Sequence, residues 1–130
     1  MKRYDPVRAP DAGEWLALDE QERIALAAAH HRRTRAKLPN LQLHAAIHVV
    51  VENQIAERVA VVQETLERLL AQGLDRHEAI HAIGSVVAEH VWKAMNETLQ
   101  GPDLEQGYFR RLEAHGASDW LKGAAADGDA

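Results

Sequence analysis

Apolar residues recur along most of this chain at intervals of three and four, and nowhere alternate with polar ones over the length of a strand. That period predicts an all-α fold, a single-domain bundle of about four helices. Asp19 and Glu22 stand in capping-box spacing and start a helix over about 20–37, which Leu38-Pro39-Asn40 stops, because proline disfavours helical geometry in the residue before it. A second helix starts near Asn40 and runs through "LQLHAAIHVVVENQIAE"; its continuation, "RVAVVQETLERLLAQG", is also helical in pattern, and a bend near Glu57–Val59 is left open. Gly73 is a C-terminal stop. Asp75, with Glu78 three residues on, caps a third helix that runs to about Leu99. "GPD" at 101–103 is a turn, and Asp103 with Gln106 opens a last helix, "LEQGYFRRLEAH". The expected organisation is an irregular arm over 1–18, with a short helical turn around Ala12–Leu16 set by Asp11 and Glu14; a bundle over 19–121; and a flexible acidic tail over 122–130.

The composition narrows what such a bundle does. At 130 residues the chain is long enough for one compact domain. The formal charge is −5, and the one basic run, "HHRRTRAK", lies within a helix and reads as a solvated face, so no nucleic-acid partner is expected. With no cysteine there is neither a disulfide framework nor a thiolate metal site. No signal-peptide pattern and no bilayer-length apolar run appear, so the expectation is a cytoplasmic protein with no membrane partner. The apolar strips suit a homodimer. The anomaly is histidine: there are eight, and they cluster.

The second helix carries His44-x3-His48-x3-Glu52. At about one hundred degrees per residue the three project from one strip about eighty degrees wide. Leu41, Ala45, Ile47, Val49, Val51 and Ile55 flank that strip, whereas Gln42 and Asn53 lie opposite. The three polar groups therefore point into the core, where a carboxylate in particular needs a partner. The third helix offers a matching pair, His77 and His81, whose strip continues through Gly84, Ser85, Ala88, Trp92 and Met95; the small residues beside the histidines let another helix approach closely. Two i, i+4 imidazole pairs on facing helices wrap a divalent metal. The expected ligand set is His44, His48, Glu52, His77 and His81, with zinc the first choice and iron, manganese or nickel compatible. Glu52 is either a ligand or a hydrogen-bond partner of one. His31, on the apolar face of the first helix with Ile24 and Ala28, is a packed core histidine with the option of joining the site. Glu89 is a supporting or solvated residue, and His30, His90 and His115 are expected at the surface.

"HEAIH" at 77–81 also has the letters of a zinc-hydrolase helix, with Glu78 as the catalytic base that activates a metal-bound water. Three features oppose a peptidase. Val87 stands where a third histidine belongs, His77 lies in the first turn where the helix dipole opposes a cation, and no strand is available to align a peptide. Glu78 has a second explanation as the capping-box partner of Asp75. Glu78-x-x-His81 also overlays the E-x-x-H unit of ferritin-like dimetal bundles, although the second helix shows H-x3-H-x3-E instead of a second such unit.

At "LPNLQLHAAIHVVVENQIAE" and "GLDRHEAIHAIGSVVAEHVW" the chain resembles a small, histidine-rich, helical bacterial family of unknown function, the domain-of-unknown-function 1841 type. The resemblance covers roughly residues 4–95. It implies that His44, His48, Glu52, His77, Glu78 and His81 match the family's polar motif, and it implies no reaction. Residues past about 100 read as an addition to that pattern.

Three functions fit these observations. The first is a metal-dependent hydrolase acting on a small-molecule substrate, with Glu78 as base. The second is a structural or metal-responsive module in which the cation clamps the second and third helices. The third is a metal-free helical interaction domain whose neutral histidine core charges and unfolds in acid.

Overall fold

The computed structural model describes residues 1–34, 40–96 and 102–127. These form seven helices: α1 Ala12–Ala17, α2 Glu20–Arg33, α3 Leu41–Ala56, α4 Ala60–Ala71, α5 Arg76–Asn96, α6 Pro102–Ala114 and α7 Ala117–Asp127. The fold is all-α, and among the described residues no strand is present.

Local chemistry sets most of the boundaries. Asp19 and Glu22 form both bonds of a capping box, at 2.8 and 3.2 Å, at the start of α2. Asp11 caps α1 through the Glu14 amide at 2.9 Å, and Asn40 caps α3 through the Leu43 amide at 3.0 Å. Gly73, at φ 103°, ends α4. The continuous pattern after Ala56 is broken: α3 closes at Glu57, and Arg58 takes the left-handed conformation, φ 58°, before α4 begins. Helix α2 stops at Arg33; the expected continuation to 37, and the end of α5 beyond Asn96, lie outside the described residues.

Three helices stand beyond the expected four. The short turn expected in the arm is α1, the Arg58 turn divides one long pattern into α3 and α4, and α7 begins within the expected bundle at Ala117 and runs to Asp127; the rest of the expected tail lies outside the described residues. That last helix is attached at its first turn, where the Ala117 amide donates to Gln72 at 2.8 Å and the Trp120 indole donates to Glu78 at 2.7 Å.

Helix α3 is central, packed against α2 on one side and α5 on the other. Two apolar clusters flank it. Tyr4, Trp15, Ala27, Ala28, Ala45 and Val49 form the smaller, between the N-terminal arm, α1, α2 and α3. Val51, Leu69, Ile80, Ile83, Val87 and Leu112 anchor the larger, which spans α3 to α7. On the α3 wheel Ala45 and Val49 fall to one side of the His44–His48–Glu52 strip, and Ile47 and Val51 to the other. The polar strip is the seam between two cores.

Gly84 permits the close approach of α3 and α5. A Cβ there would stand 3.0 Å from a methyl of Ile47 and 4.0 Å from one of Val51. His44 meets His81, and Glu52 meets Arg76, so the two helices run antiparallel. The expected inward strip of α5 ends at Gly84: Ser85, Ala88, Trp92 and Met95 are exposed, the last two at 60% and 79%. In the antiparallel register those residues project past Leu41, where α3 begins.

Candidate metal centre

Six of the eight histidines meet in one place. His30 and His31 come from α2, His44 and His48 from α3, His77 and His81 from α5. The rings meet edge to face, except for the tilted His44–His48 pair, with centroids from 4.3 Å for His77–His81 to 6.3 Å for His31–His77. One ligand atom from each of His31, His44, His48 and His81 lies within 4.8 Å of all the others. The Nε2 atoms of His44 and His81 are 3.2 Å apart. Donors around a tetrahedral Zn²⁺ at about 2.0–2.1 Å stand roughly 3.4 Å from one another. The His44–His81 pair already has that spacing, and the remaining separations are short enough for one cation to draw together.

Hydrogen bonds orient two of the rings. His31 Nδ1 lies 2.7 Å from the Ala27 carbonyl, which only accepts, so that nitrogen carries the proton and Nε2 keeps a free lone pair. His48 is held by a longer chain. The Tyr4 hydroxyl donates to Glu52 Oε2 at 2.5 Å, and His48 Nδ1 lies 3.2 Å from the same hydroxyl oxygen. With the Tyr4 proton committed to the carboxylate, His48 Nδ1 is the donor and its Nε2 also faces inward as a lone pair. Orientation of a ligating imidazole through its second nitrogen is the usual support of a metal site.

Glu52 is thus one step behind the imidazoles. Arg76 grips it through two bonds, Nη1 to Oε2 at 2.8 Å and Nη2 to Oε1 at 2.7 Å. The pair is buried, with side chains 9% and 1% exposed, which satisfies the demand that a carboxylate in this position be neutralised. The Glu52 oxygens face Arg76 and Tyr4, whereas the four converging nitrogens all come from histidine.

Electrostatics keep the imidazoles as lone-pair donors. Burial, and then the neighbouring His81 and His31, push His48 far below its ordinary value. Burial followed by His77 and His44 lowers His81 to about 3, and burial followed by His31 and His77 lowers His44 to about 4. His31 and His77 are lowered too, burial being the main cause in each. All are neutral at pH 7. The buried Nε2 atoms of His30, His31, His48 and His77 have no hydrogen-bond partner. Each such orphan costs about 1–3 kcal/mol, and a divalent cation is a group that satisfies several at once.

Residues 14–114 match the family described as Domain of unknown function (DUF1841). The chain belongs to that family. No curated protein and no solved structure is significantly similar to it. The DUF1841 match extends through α6, so the segment past residue 100 is not an addition up to Ala114. Tyr4 precedes the matched span, although its side chain is fully buried in the DUF1841 core.

Several residues depart from their expected places. His31 is an equal member of the four-nitrogen group, supplied by α2. His77 stands beside that group, its ring 4.3 Å from that of His81. His30 and His115, expected at the surface, are buried, and His90 is half-buried against Tyr108 at 4.8 Å. Glu89 is bound at the surface by Lys93 and Arg111, at 3.4 and 3.2 Å. Tyr4 and Arg76 join the site from outside the H-x3-H-x3-E and HEAIH motifs. The need of a core carboxylate for a cation foreshadowed Arg76; nothing in the proline-containing arm marked Tyr4. Among the described residues no helix is long and apolar enough to cross a membrane.

Proposed function

We propose that the protein binds a divalent cation through Nε2 of His31, His44, His48 and His81, and that the cation fastens α2, α3 and α5 together. The convergence of four neutral imidazoles, two of them oriented through Nδ1, carries this reading. The donor set bears on the metal. Imidazole suits zinc, copper, iron and nickel, whereas manganese favours the carboxylates and waters that are lacking among these four donors. Zinc, with its tetrahedral preference and no redox chemistry, is the first choice.

Glu78 bears on the alternative of hydrolysis. Its Oε2 accepts the Trp120 indole N–H, and its backbone amide is capped by Asp75 at 2.8 Å. Those contacts support a role as a bracket between α5 and α7 in preference to a base acting on a metal-bound water. The test is elemental analysis of the purified protein together with thermal melts. Stoichiometric zinc, a Tm that falls on chelation, and a His48→Ala protein that neither holds zinc nor responds to chelator are expected. Glu78→Gln should retain its zinc. Metal-free protein whose Tm ignores both chelator and added zinc would overturn the proposal.

A further inference from the structure

A cleft of about 210 Å³ opens between the N-terminal arm, α1, the end of α3 and the first turns of α4 and α5, and no histidine lines it. Its charged lining is Arg58, Arg76 and Glu52, and Gln63 adds an amide. Pro10, Ile55 and Ala56 supply an apolar wall. The volume lies below the roughly 300 Å³ at which pockets for drug-sized ligands begin, so a molecule seated here is small.

Glu52 and the arm do not saturate Arg76. A guanidinium has one carboxylate-matching edge across Nη1 and Nη2 and another across Nε and Nη2. Glu52 occupies the first edge, with Nη1 bonded to Oε2 and Nη2 to Oε1, and the Pro6 carbonyl takes the remaining Nη1 proton at 3.0 Å. Among the described residues nothing accepts from Nε or from the second Nη2 proton, so the other edge is open although the side chain is only 9% exposed. Arg58 brings a second guanidinium to the same cleft. It holds the left-handed conformation, φ 58°, just past the Glu57 cap of α3, where glycine is the usual residue. Among the described residues it makes no ion pair. Two positive charges against the single negative charge of Glu52 leave the cleft with one positive charge in excess.

We infer that this cleft binds a small organic monocarboxylate, its carboxylate on the open Nε–Nη2 edge of Arg76 and paired with Arg58, its hydrocarbon body against Pro10, Ile55 and Ala56. One negative charge neutralises the excess, whereas a dianion such as phosphate overshoots it and is repelled by Glu52. The hydrocarbon body excludes water from the guanidinium edge, and the charge-assisted bonds gain strength there. The site is separate from the cation position, since none of the four imidazole donors lines the cleft.

Nuclear magnetic resonance titration of isotope-labelled full-length protein tests this, with the arginine Nε–H signals as reporters. Butyrate and benzoate should give saturable shifts of the Arg76 Nε–H. Butylamine, with the same hydrocarbon length as butyrate and the opposite charge, should give none, and inorganic phosphate should bind more weakly than either carboxylate. Arg58→Gly puts the preferred residue at a left-handed position, so its Tm should hold or rise. Its affinity for butyrate should nevertheless fall roughly tenfold or more. A purely structural Arg58 would not separate those two readouts. The carboxylate site is overturned by the absence of a saturable Arg76 shift with both carboxylates, by phosphate or butylamine binding as tightly as butyrate, or by butyrate affinity that survives Arg58→Gly.

Discussion

His48 shows how much one buried side chain depends on others. It sits 2% exposed in the seam, far from any pH at which it would charge, with one nitrogen committed to Tyr4 and the other facing its three partners. Tyr4 in turn is aimed by Glu52, and Glu52 by Arg76. A residue in an irregular arm thereby sets the tautomer of a histidine 44 positions away. Tyr4→Phe isolates this effect. The ring, which packs on Trp15 with centroids 5.4 Å apart, is kept, while the hydroxyl that fixes His48 is lost. Zinc affinity, measured by competition with a chromophoric chelator, should fall about 10–100-fold. An unchanged affinity would mean that the hydroxyl serves only Glu52.

Among the elements, the contact of α3 with α5 decides whether the imidazoles meet. Gly84 sets that distance, since its missing side chain admits Ile47. Gly84→Val should pry the two helices apart just beyond the His44–His81 pair. Overpacking of this kind costs about 1–3 kcal/mol, readable as a lower denaturation midpoint, and zinc affinity should fall with it because the donors separate. Equal affinity in the variant would show that the cation tolerates the wider spacing. Helix α2 contributes through register: its last turn delivers His30 and His31 side by side, and the Ala27 carbonyl one turn earlier orients His31.

For the whole molecule, a seam of six neutral imidazoles between two apolar cores makes the fold sensitive to protons. The unfolded chain titrates near pH 6.5, whereas His44 and His81 in the fold titrate at about 4 and about 3. Above pH 6.5 both states are neutral and the metal-free protein keeps its full stability. As pH falls below 6.5 the unfolded state takes up protons first, so stability declines, and the decline continues until the folded groups charge. For His48 alone the loss at pH 5 is about 2 kcal/mol, and the other members of the cluster add to it. Denaturant midpoints of metal-free protein should therefore drop steeply between pH 7 and pH 5. Saturating zinc competes with the protons and should move that drop to lower pH. A metal-free midpoint that stays level down to pH 5 would contradict the neutral cluster.

The sequence by itself determined the helices and the strip that carries the chemistry. Caps such as Asp19, Asn40 and Gly73 act within a few residues of where they stand. The 3.6-residue period places His44, His48 and Glu52 on the apolar face whatever lies opposite. These are local effects, which is why they were legible. Only the tertiary structure decided what met that strip. His31 stands with His44, His48 and His81 because α2 covers α3 at that point. Glu52 is held by Arg76 and by Tyr4, the latter from a segment with no periodicity. Partners such as these are chosen by distances across the fold, and spacing along a chain holds no record of them.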